Sequence, residues 1–458
     1  MSVADLPEDR PAPVVALVRE PPPPVRTDLS TEDLHPSLED PALTSMNFLN
    51  EVANHYPDAV SLAAGRPYEE FWELDELPRY LARFGEYLRA DLGYGPERVR
   101  RTLFQYGRTK GIVHELVAAN LELDEGVTVD PESVVVTVGC QEAMVLVLRA
   151  LRSGPKDVLL AVSPTYVGLT GAARLVDLPV LPVASGEAGV DLDDLLYRIQ
   201  DARAAGLRPR ACYVMPDFAN PSGVSMPEQT RRALLSLARE EDFLLLEDNP
   251  YGLFHGDAGR VPTLKALDEG RRVVYLGSFA KTVLPGARVG YVVADQTVTG
   301  ADGTVRLLAD ELSKIKSMLT VNTPALAQAI VGGKLLAHGC SLVRATERER
   351  AVYAANRTRI VEGLAARLGP PVSWNTPAGG FFVVVTVPFP VDDGLLTRSA
   401  RDYGVLWTPM HHFYDTGDGG DGVRSMRLSC SVVTTEQIDT GLDRLARLIS
   451  DELVKRGY

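Results

Sequence analysis

The segment that decides the fold runs from residue 273 to residue 290 and reads VVYLGSFAKTVLPGARVG. It opens with an apolar run typical of a buried strand, and Lys281 follows shortly after that run. Ser278 lies three residues before the lysine and Arg288 seven residues after it. A lysine amine at a strand end can form an imine with an aldehyde, while a nearby hydroxyl and guanidinium hold an anionic group. A surface lysine paired with a carboxylate would look similar, so other segments have to decide.

Two further segments place polar side chains directly after apolar runs. Residues 243–248 read FLLLED, which is typical of a buried parallel strand that delivers Asp248 at its carboxyl end. Asp248 is a candidate partner for a protonated ring nitrogen, and Tyr251 would lie beside a phenolic oxygen of the same ring. Another strand is predicted over residues 211–216, and Asn220 follows it in a turn fixed by proline and glycine. An ordinary turn would use the same residue types.

Two segments nearer the N-terminus supply an anion site and an aromatic ring. Residues 133–138 predict a strand, and Gly139, Cys140 and Gln141 open a helix behind it. The free N–H groups and the dipole of a helix N-terminus attract a dianion such as phosphate. Tyr166 follows another predicted strand and a proline turn, where its ring could stack on a flat heteroaromatic ring or pack in the core.

The order of these pieces along the chain points to one shared crevice. Ligands of open α/β sheets gather at the carboxyl ends of the strands, and each piece stands at a predicted strand end. A phosphate site, a stacking tyrosine, an amide, an acid and an imine-forming lysine together suggest pyridoxal phosphate. Strands and helices alternate between about Val99 and Asn322, which predicts an α/β fold with a mostly parallel sheet flanked by helices.

From about Asp40 onward, the chain resembles the class I and II aminotransferases of fold-type I. The resemblance implies a seven-stranded-type, mostly parallel sheet in a large cofactor-binding domain, with a second, smaller α+β domain. Within the family it points to the branch of 2-aminoadipate and kynurenine aminotransferases, and residues 42–65 and 273–293 are most similar to 3,5-dihydroxyphenylglycine transaminases. The implied activity is pyridoxal 5′-phosphate-dependent transfer of an amino group between an amino acid and a 2-oxo acid, in specialised, antibiotic-type amino-acid biosynthesis.

The resemblance also assigns roles to single residues. Lys281, Asp248 and Tyr251 would be catalytic: the lysine binds the cofactor covalently and later moves a proton, and the acid pairs with the pyridine nitrogen. Tyr106 would reach the phosphate of a neighbouring subunit, although an ordinary turn tyrosine would look the same. The implied cofactor-binding set is Gly139, Cys140, Gln141, Tyr166, Asn220, Asp248, Tyr251, Ser278, Lys281, Arg288 and Tyr106.

Four positions are candidates for substrate recognition. Arg427 matches the family arginine that clamps the α-carboxylate, a task that suits a planar guanidinium because it can donate two parallel hydrogen bonds; Arg424 is its competitor in register. Asn220 and the loop residues Gly65 and Arg66 would border the substrate. Arg66 could recognise a second anionic group or form a surface ion pair.

Length and composition predict more than one domain. A chain of 458 residues exceeds what a single core usually supports. We expect a flexible, proline-rich arm over residues 1–40, with few large apolar groups to order it. The small domain would combine residues 41–98 with residues 324–458, and the cofactor-binding domain would span residues 99–323.

Charge and cysteine usage exclude several classes of function. A net charge of -14 and a pI near 5.1 argue against binding to nucleic acid or to anionic membranes. The four cysteines show neither disulfide nor metal-ligand spacing, so we expect reduced thiols and no metal site. Since no signal-like or membrane-spanning segment is present, a cytoplasmic protein is the default, and the resemblance implies a homodimer with shared active sites.

Two alternatives stay open at this point. The same cofactor supports non-transaminating chemistry, such as β- or γ-elimination and replacement, or carbon–carbon bond formation, for example with S-adenosylmethionine. Ala280 stands before the lysine where much of the family has serine, but this does not decide between the reactions. A more remote alternative is an aminotransferase-like regulator, although the N-terminal segment has no helix-turn-helix pattern and no basic face.

Overall fold

The structure is a computed structural model that describes residues 28–41, 43, 45, 54–256, 259–415 and 420–458. The first 27 residues of the predicted arm therefore lie outside the described residues, as does most of the segment between 42 and 53. The described end of the arm forms two short 3-10 helices, Thr31–Asp33 and Pro36–Glu39.

A seven-stranded sheet forms the centre of the protein. Its strands, in chain order, are Val134–Thr137 (β1), Asp157–Val162 (β2), Val180–Val183 (β3), Arg208–Val214 (β4), Leu244–Asp248 (β5), Val273–Ser278 (β6) and Gly290–Val293 (β7). Their spatial order is β1-β7-β6-β5-β4-β2-β3. Only β7 is antiparallel to its neighbours, whereas all other pairs are parallel. The predicted mostly parallel sheet is confirmed.

The sheet is covered on both faces, which explains the unbroken apolar runs of its strands. Val135 belongs to one buried cluster, while its neighbours Val134 and Val136 belong to another. Since successive side chains of a strand point to opposite faces, each face has its own apolar core.

The helices are Glu76–Glu86 (α1), Pro96–Phe104 (α2), His114–Glu125 (α3), Gly139–Leu151 (α4), Val167–Leu175 (α5), Leu192–Ala204 (α6), Glu228–Glu240 (α7), Leu264–Leu267 (α8), Leu308–Leu319 (α9), Ala325–Ala337 (α10), Leu342–Ala345 (α11), Glu347–Arg367 (α12), Asp393–Arg398 (α13) and Thr435–Arg456 (α14).

A second, smaller layer follows in the C-terminal part of the chain. Its antiparallel sheet contains Ser373–Trp374 (β8), Phe382–Thr386 (β9), Thr408–Pro409 (β10) and Ser425–Ser429 (β11), in the spatial order β8-β9-β11-β10. Helices α12 and α14 pack together over it. The core between them includes Phe381, Trp407 and Leu428, together with Leu62 from the N-terminal part of the chain. This is the expected α+β unit.

The buried clusters do not mark the predicted domain boundaries. Phe84 and Leu335 lie in the same cluster as Val134 of the main sheet. Divisions near residues 98 and 323 therefore stay predictions. Among the described residues, no helix combines the length and the apolar character needed to cross a membrane.

Candidate active site

Lys281 lies just beyond the carboxyl end of β6 and faces the loop that carries Gly65. Its Nζ atom donates a hydrogen bond to the Gly65 carbonyl oxygen at 2.8 Å and lies 5.9 Å from the centre of the Tyr251 ring. Burial, together with the nearby charges of Arg288 and Arg427, lowers the pKa of Lys281 to about 8. The amine is thus partly neutral near physiological pH.

Asp248 ends β5 on the same edge of the sheet and is almost fully buried. The Tyr213 hydroxyl donates to its Oδ2 atom at 2.6 Å, and the Cys140 thiol lies 3.7 Å from Oδ1. Burial raises the pKa of Asp248 to about 6, although both hydrogen bonds and the charge of Lys281 act in the opposite direction. A carboxylate held in this way favours a cationic partner.

The contact between Tyr213 and Asp248 did not follow from the motifs of the sequence. Tyr213 lies on β4, next to β5, and is fully enclosed by protein. A buried tyrosine hydroxyl needs a hydrogen-bond partner, and a tyrosine in a strand beside one that ends in an acid is the signal that was available.

Tyr251 and Asn220 approach the same space from the ends of two neighbouring strands. Tyr251 packs edge-on against Phe381 and Phe382, with ring centres 5.2 and 5.4 Å away. Burial raises the pKa of its phenol, while a hydrogen bond with the Asn220 side chain acts against that rise. The Asn220 Oδ1 atom also accepts a hydrogen bond from Arg427.

Arg427 lies in the middle of β11 and is 6% exposed. Its Nη2 atom donates to the Ala63 carbonyl oxygen at 2.9 Å and to the Thr408 hydroxyl at 3.2 Å. Its Nε atom is buried without a hydrogen-bond partner among the described residues, and burial lowers the pKa of the guanidinium to about 10. Such an arginine favours an incoming anion. The competitor Arg424, by contrast, is exposed.

The turn between β1 and α4 forms a cradle under Arg288. Gly139 begins α4 with a φ of +72°, and a Cβ atom at this position would collide with the Arg288 guanidinium. Gln141 donates to the Gly168 carbonyl oxygen at 2.6 Å, which fixes the first turn of α4 against α5. Ser278 accepts a hydrogen bond from the Ala280 N–H at 3.2 Å. The α4 terminus, Ser278 and Arg288 are therefore compatible with a phosphate.

Two of the predicted site residues do not reach this crevice within one chain. The Tyr106 side chain is 84% exposed. The Arg66 guanidinium forms an exposed ion pair with Glu69 at 3.3 Å, which is one of the two arrangements expected for it. Tyr166 lies at the start of α5, where burial raises the pKa of its phenol to about 12.

The residues that meet here fit pyridoxal phosphate. The partly neutral amine of Lys281 suits an aldehyde, the buried Asp248 suits a protonated ring nitrogen, and the cradle beside Arg288 suits a phosphate. The Arg427 guanidinium hydrogen-bonds to the neutral groups of Asn220, Ala63 and Thr408, so it suits a substrate carboxylate as its counter-ion.

Comparison with known proteins agrees with this geometry. The family model "Aminotransferase class I and II" matches residues 91–445. The chain is 56% identical, over 93% of its length and 96% of the relative's, to a protein of Amycolatopsis orientalis named (S)-3,5-dihydroxyphenylglycine transaminase.

Solved structures show the same architecture. The kynurenine aminotransferase of Pyrococcus horikoshii superposes with a TM-score of 0.76 at 27% identity, covering 88% of this chain and 94% of that one. The α-aminoadipate aminotransferase of Thermus thermophilus, complexed with N-(5′-phosphopyridoxyl)-L-leucine, gives a TM-score of 0.76 at 29% identity, with 93% and 100% of the two chains covered.

Proposed function

The chain belongs to the class I and II aminotransferases, which transfer amino groups with pyridoxal phosphate, and we propose that its substrate is (S)-3,5-dihydroxyphenylglycine with the matching 2-oxo acid. The identity of 56% across nearly the whole of both chains carries this proposal. Supply of an unusual arylglycine to antibiotic-type biosynthesis in the cytoplasm is part of the same proposal.

Four side chains form the proposed binding site of the cofactor ring. Asp248 pairs with the ring nitrogen, because it is a buried carboxylate that gains from a cationic partner. Tyr251 and Asn220, which already share a hydrogen bond, hold the phenolic oxygen. Tyr166, buried at the start of α5, would stack on the ring. The phosphate is held by Ser278, Arg288 and the N–H groups of Cys140 and Gln141 at the N-terminus of α4.

Arg427 orients the amino acid. Its guanidinium is fixed by the Ala63 carbonyl and by Thr408, and its Cζ atom lies 4.3 Å from the centre of the Phe382 ring. A substrate carboxylate therefore meets an arginine that needs little rearrangement, and this holds the α-carbon in one position. Gly65 allows the close approach of its loop, since a Cβ atom there would lie 2.9 Å from Phe382.

Lys281 moves the proton between the substrate α-carbon and the cofactor. When bound, pyridoxal phosphate supplies an aldehyde and a ring that accepts the electron pair of a broken α-bond. With a pKa of about 8, roughly a quarter of the Lys281 amines are neutral at pH 7.5 and can act as a base. The ionised carboxylate of Asp248 would hold a proton on the ring nitrogen, and the buried aromatic rings of Tyr251 and Phe382 would limit access of water.

A homodimer is also part of the proposal. An exposed apolar patch consists of Phe104, Tyr106, Met318, Leu319 and Leu326, whose exposed fractions lie between 47% and 84%. Its two halves are adjacent, because a Cβ atom on Gly107 would lie 3.6 Å from the Asn322 amide. A second copy of the chain is the simplest partner to cover such a patch. The hydroxyl of Tyr106 would then reach the partner's phosphate site.

The test is a half-reaction screen on the purified enzyme. We expect (S)-3,5-dihydroxyphenylglycine to convert the cofactor to its aminated form, and the matching 2-oxo acid to reverse that change. The R enantiomer is the matched control, because Arg427 and Lys281 accept one arrangement of the α-hydrogen. Amination by 2-aminoadipate or kynurenine alone would overturn the substrate assignment. A cofactor that is never aminated by any amino acid would favour a non-transaminating reaction.

A further inference from the structure

Three potential metal ligands that have no role in the crevice described above lie close together. Asp393 begins α13, and His411 and His412 lie in the 3-10 turn Met410–Phe413. The Asp393 Oδ1 atom is 2.8 Å from His412 Nε2 and 3.7 Å from His411 Nε2. One ligand atom from each residue lies within 4.8 Å of the other two.

We propose that Asp393, His411 and His412 bind one divalent transition-metal ion, with Zn²⁺ as the best-fitting ion. Two imidazoles and one carboxylate form a ligand set that Zn²⁺ accepts. With metal–ligand bonds of about 2.1 Å, two ligands of a tetrahedral site lie about 3.4 Å apart. The two observed separations from Asp393, 2.8 and 3.7 Å, bracket this value, and the third pair of ligand atoms lies within 4.8 Å.

Groups behind the ligands orient both imidazoles. The Nδ1 atom of His412 lies 2.9 Å from the Ser45 hydroxyl, and the His411 ring is hydrogen-bonded to the Val391 backbone. These contacts hold both rings in place beside Asp393, as the hydrogen-bond partners of metal-binding histidines do.

In the structure, His412 Nε2 and Asp393 Oδ1 form a hydrogen bond of 2.8 Å, which a bound metal ion would replace. The two imidazole rings are centred 4.1 Å apart, so a second positive charge beside the first is unfavourable. One carboxylate then faces two imidazoles, and a divalent cation satisfies all three groups.

An ion can reach this site from solvent, and its binding would affect the structure around Arg427. The His412 side chain is 8% exposed, whereas that of Asp393 is 47% exposed, so the site opens to solvent on the carboxylate side. A fourth position is thereby free for water. The next residue, Phe413, lies with its ring centre 5.0 Å from the Arg427 Cζ atom. A metal that fixes this turn against α13 would also stiffen the wall behind Arg427.

The cysteine spacing predicted no metal site, and the proposed zinc site revises that prediction. Asp393 stands 18 residues before His411, and only the fold brings them together. A pair of adjacent histidines does not match the spacing of the common zinc motifs.

The experiment is a Zn²⁺ titration of the tag-free, chelator-treated holoenzyme by calorimetry, with metal analysis after dialysis. We expect one Zn²⁺ per chain, and at least a 10-fold loss of affinity in each of the variants His411→Gln, His412→Gln and Asp393→Asn. His338→Gln is the matched control, because His338 lies at the end of α10. The affinity of this variant for Zn²⁺ should equal that of the wild type. Substitution by Co²⁺ should give visible absorption bands that the three variants lack.

Several outcomes would overturn the proposal. These are the absence of Zn²⁺ binding to the wild type, equal affinity in the three variants, and a loss of binding in His338→Gln instead. Melting of the metal-free variants separates folding from ligand loss, since each should match the metal-free wild type. If one variant does not fold, the other two decide the question because each removes a different ligand atom.

Discussion

Replacing Tyr213 by phenylalanine removes the shortest hydrogen bond to the carboxylate of Asp248. The Tyr213 hydroxyl donates to that carboxylate at 2.6 Å, in a fully buried setting. A hydrogen bond to a charged group stabilises it by about 1.5–3 kcal/mol. Because one pKa unit corresponds to about 1.4 kcal/mol, the pKa of Asp248 should rise by about one to two units, from about 6 to roughly 7–8. At pH 7.5, the ionised fraction would then fall from about 97% to roughly 25–75%.

The assay is the affinity of the cofactor-free protein for pyridoxal phosphate, measured across pH by absorbance. The ionisation of the free cofactor is the same for every variant and cancels in the comparison. The acid limb of the affinity curve should move to higher pH in Tyr213→Phe. Tyr275→Phe is the matched control, because the Tyr275 hydroxyl donates to Glu125 at 2.7 Å and does not touch Asp248. If the acid limb of Tyr213→Phe coincides with that of the wild type, the Tyr213 hydroxyl does not lower the pKa of Asp248.

Two further predictions concern Arg427 and Lys281. Arg427→Lys should lower kcat/KM by roughly 30- to 1000-fold, or about 2–4 kcal/mol, with cofactor affinity unchanged, because the planar donor pair for the carboxylate is lost. Arg424→Lys is its exposed control, and equal losses in the two variants would contradict the assignment. The second prediction follows from the pKa of Lys281, which is about 8 in the folded chain and about 10.4 when unfolded. The folded state loses this proton at a lower pH than the unfolded state. The free energy of unfolding of the cofactor-free wild type therefore rises as pH increases from about 8 to about 10.4. Cofactor-free Lys281→Met should therefore melt above the wild type at pH 7, and the gap should close as pH rises above 8. A gap that does not change with pH would argue against a buried, destabilised ammonium.

The strand ends were predictable from sequence because burial on both sheet faces leaves a continuous apolar run. Val134–Thr137, Leu244–Asp248 and Val273–Ser278 end within two residues of the ends of their apolar runs. Strand direction was harder to predict, because an apolar run looks the same in either orientation. Gly290–Val293 returns antiparallel, since the 11 residues that separate it from Ser278 form the loop of Lys281 and Arg288 and leave no room for a helical crossover.

The polar groups that surround the predicted site were harder to find. Tyr213 and Thr408 lie inside strands, where a sequence pattern identifies burial but not the neighbour across the sheet. The contact of Lys281 with the Gly65 carbonyl joins positions 216 residues apart, and only tertiary packing defines it. The role of Tyr106 depends on a second chain, so it stays a prediction.

The proposed active site is tested most directly by identifying the lysine that carries the cofactor. Holoenzyme reduced with borohydride and digested should carry one phosphopyridoxyl group on the peptide that contains Lys281. The variant Lys281→Ala should carry none and should not transaminate. A label on another buried lysine, such as Lys316 or Lys334, or full turnover by Lys281→Ala, would show that Lys281 does not carry the cofactor.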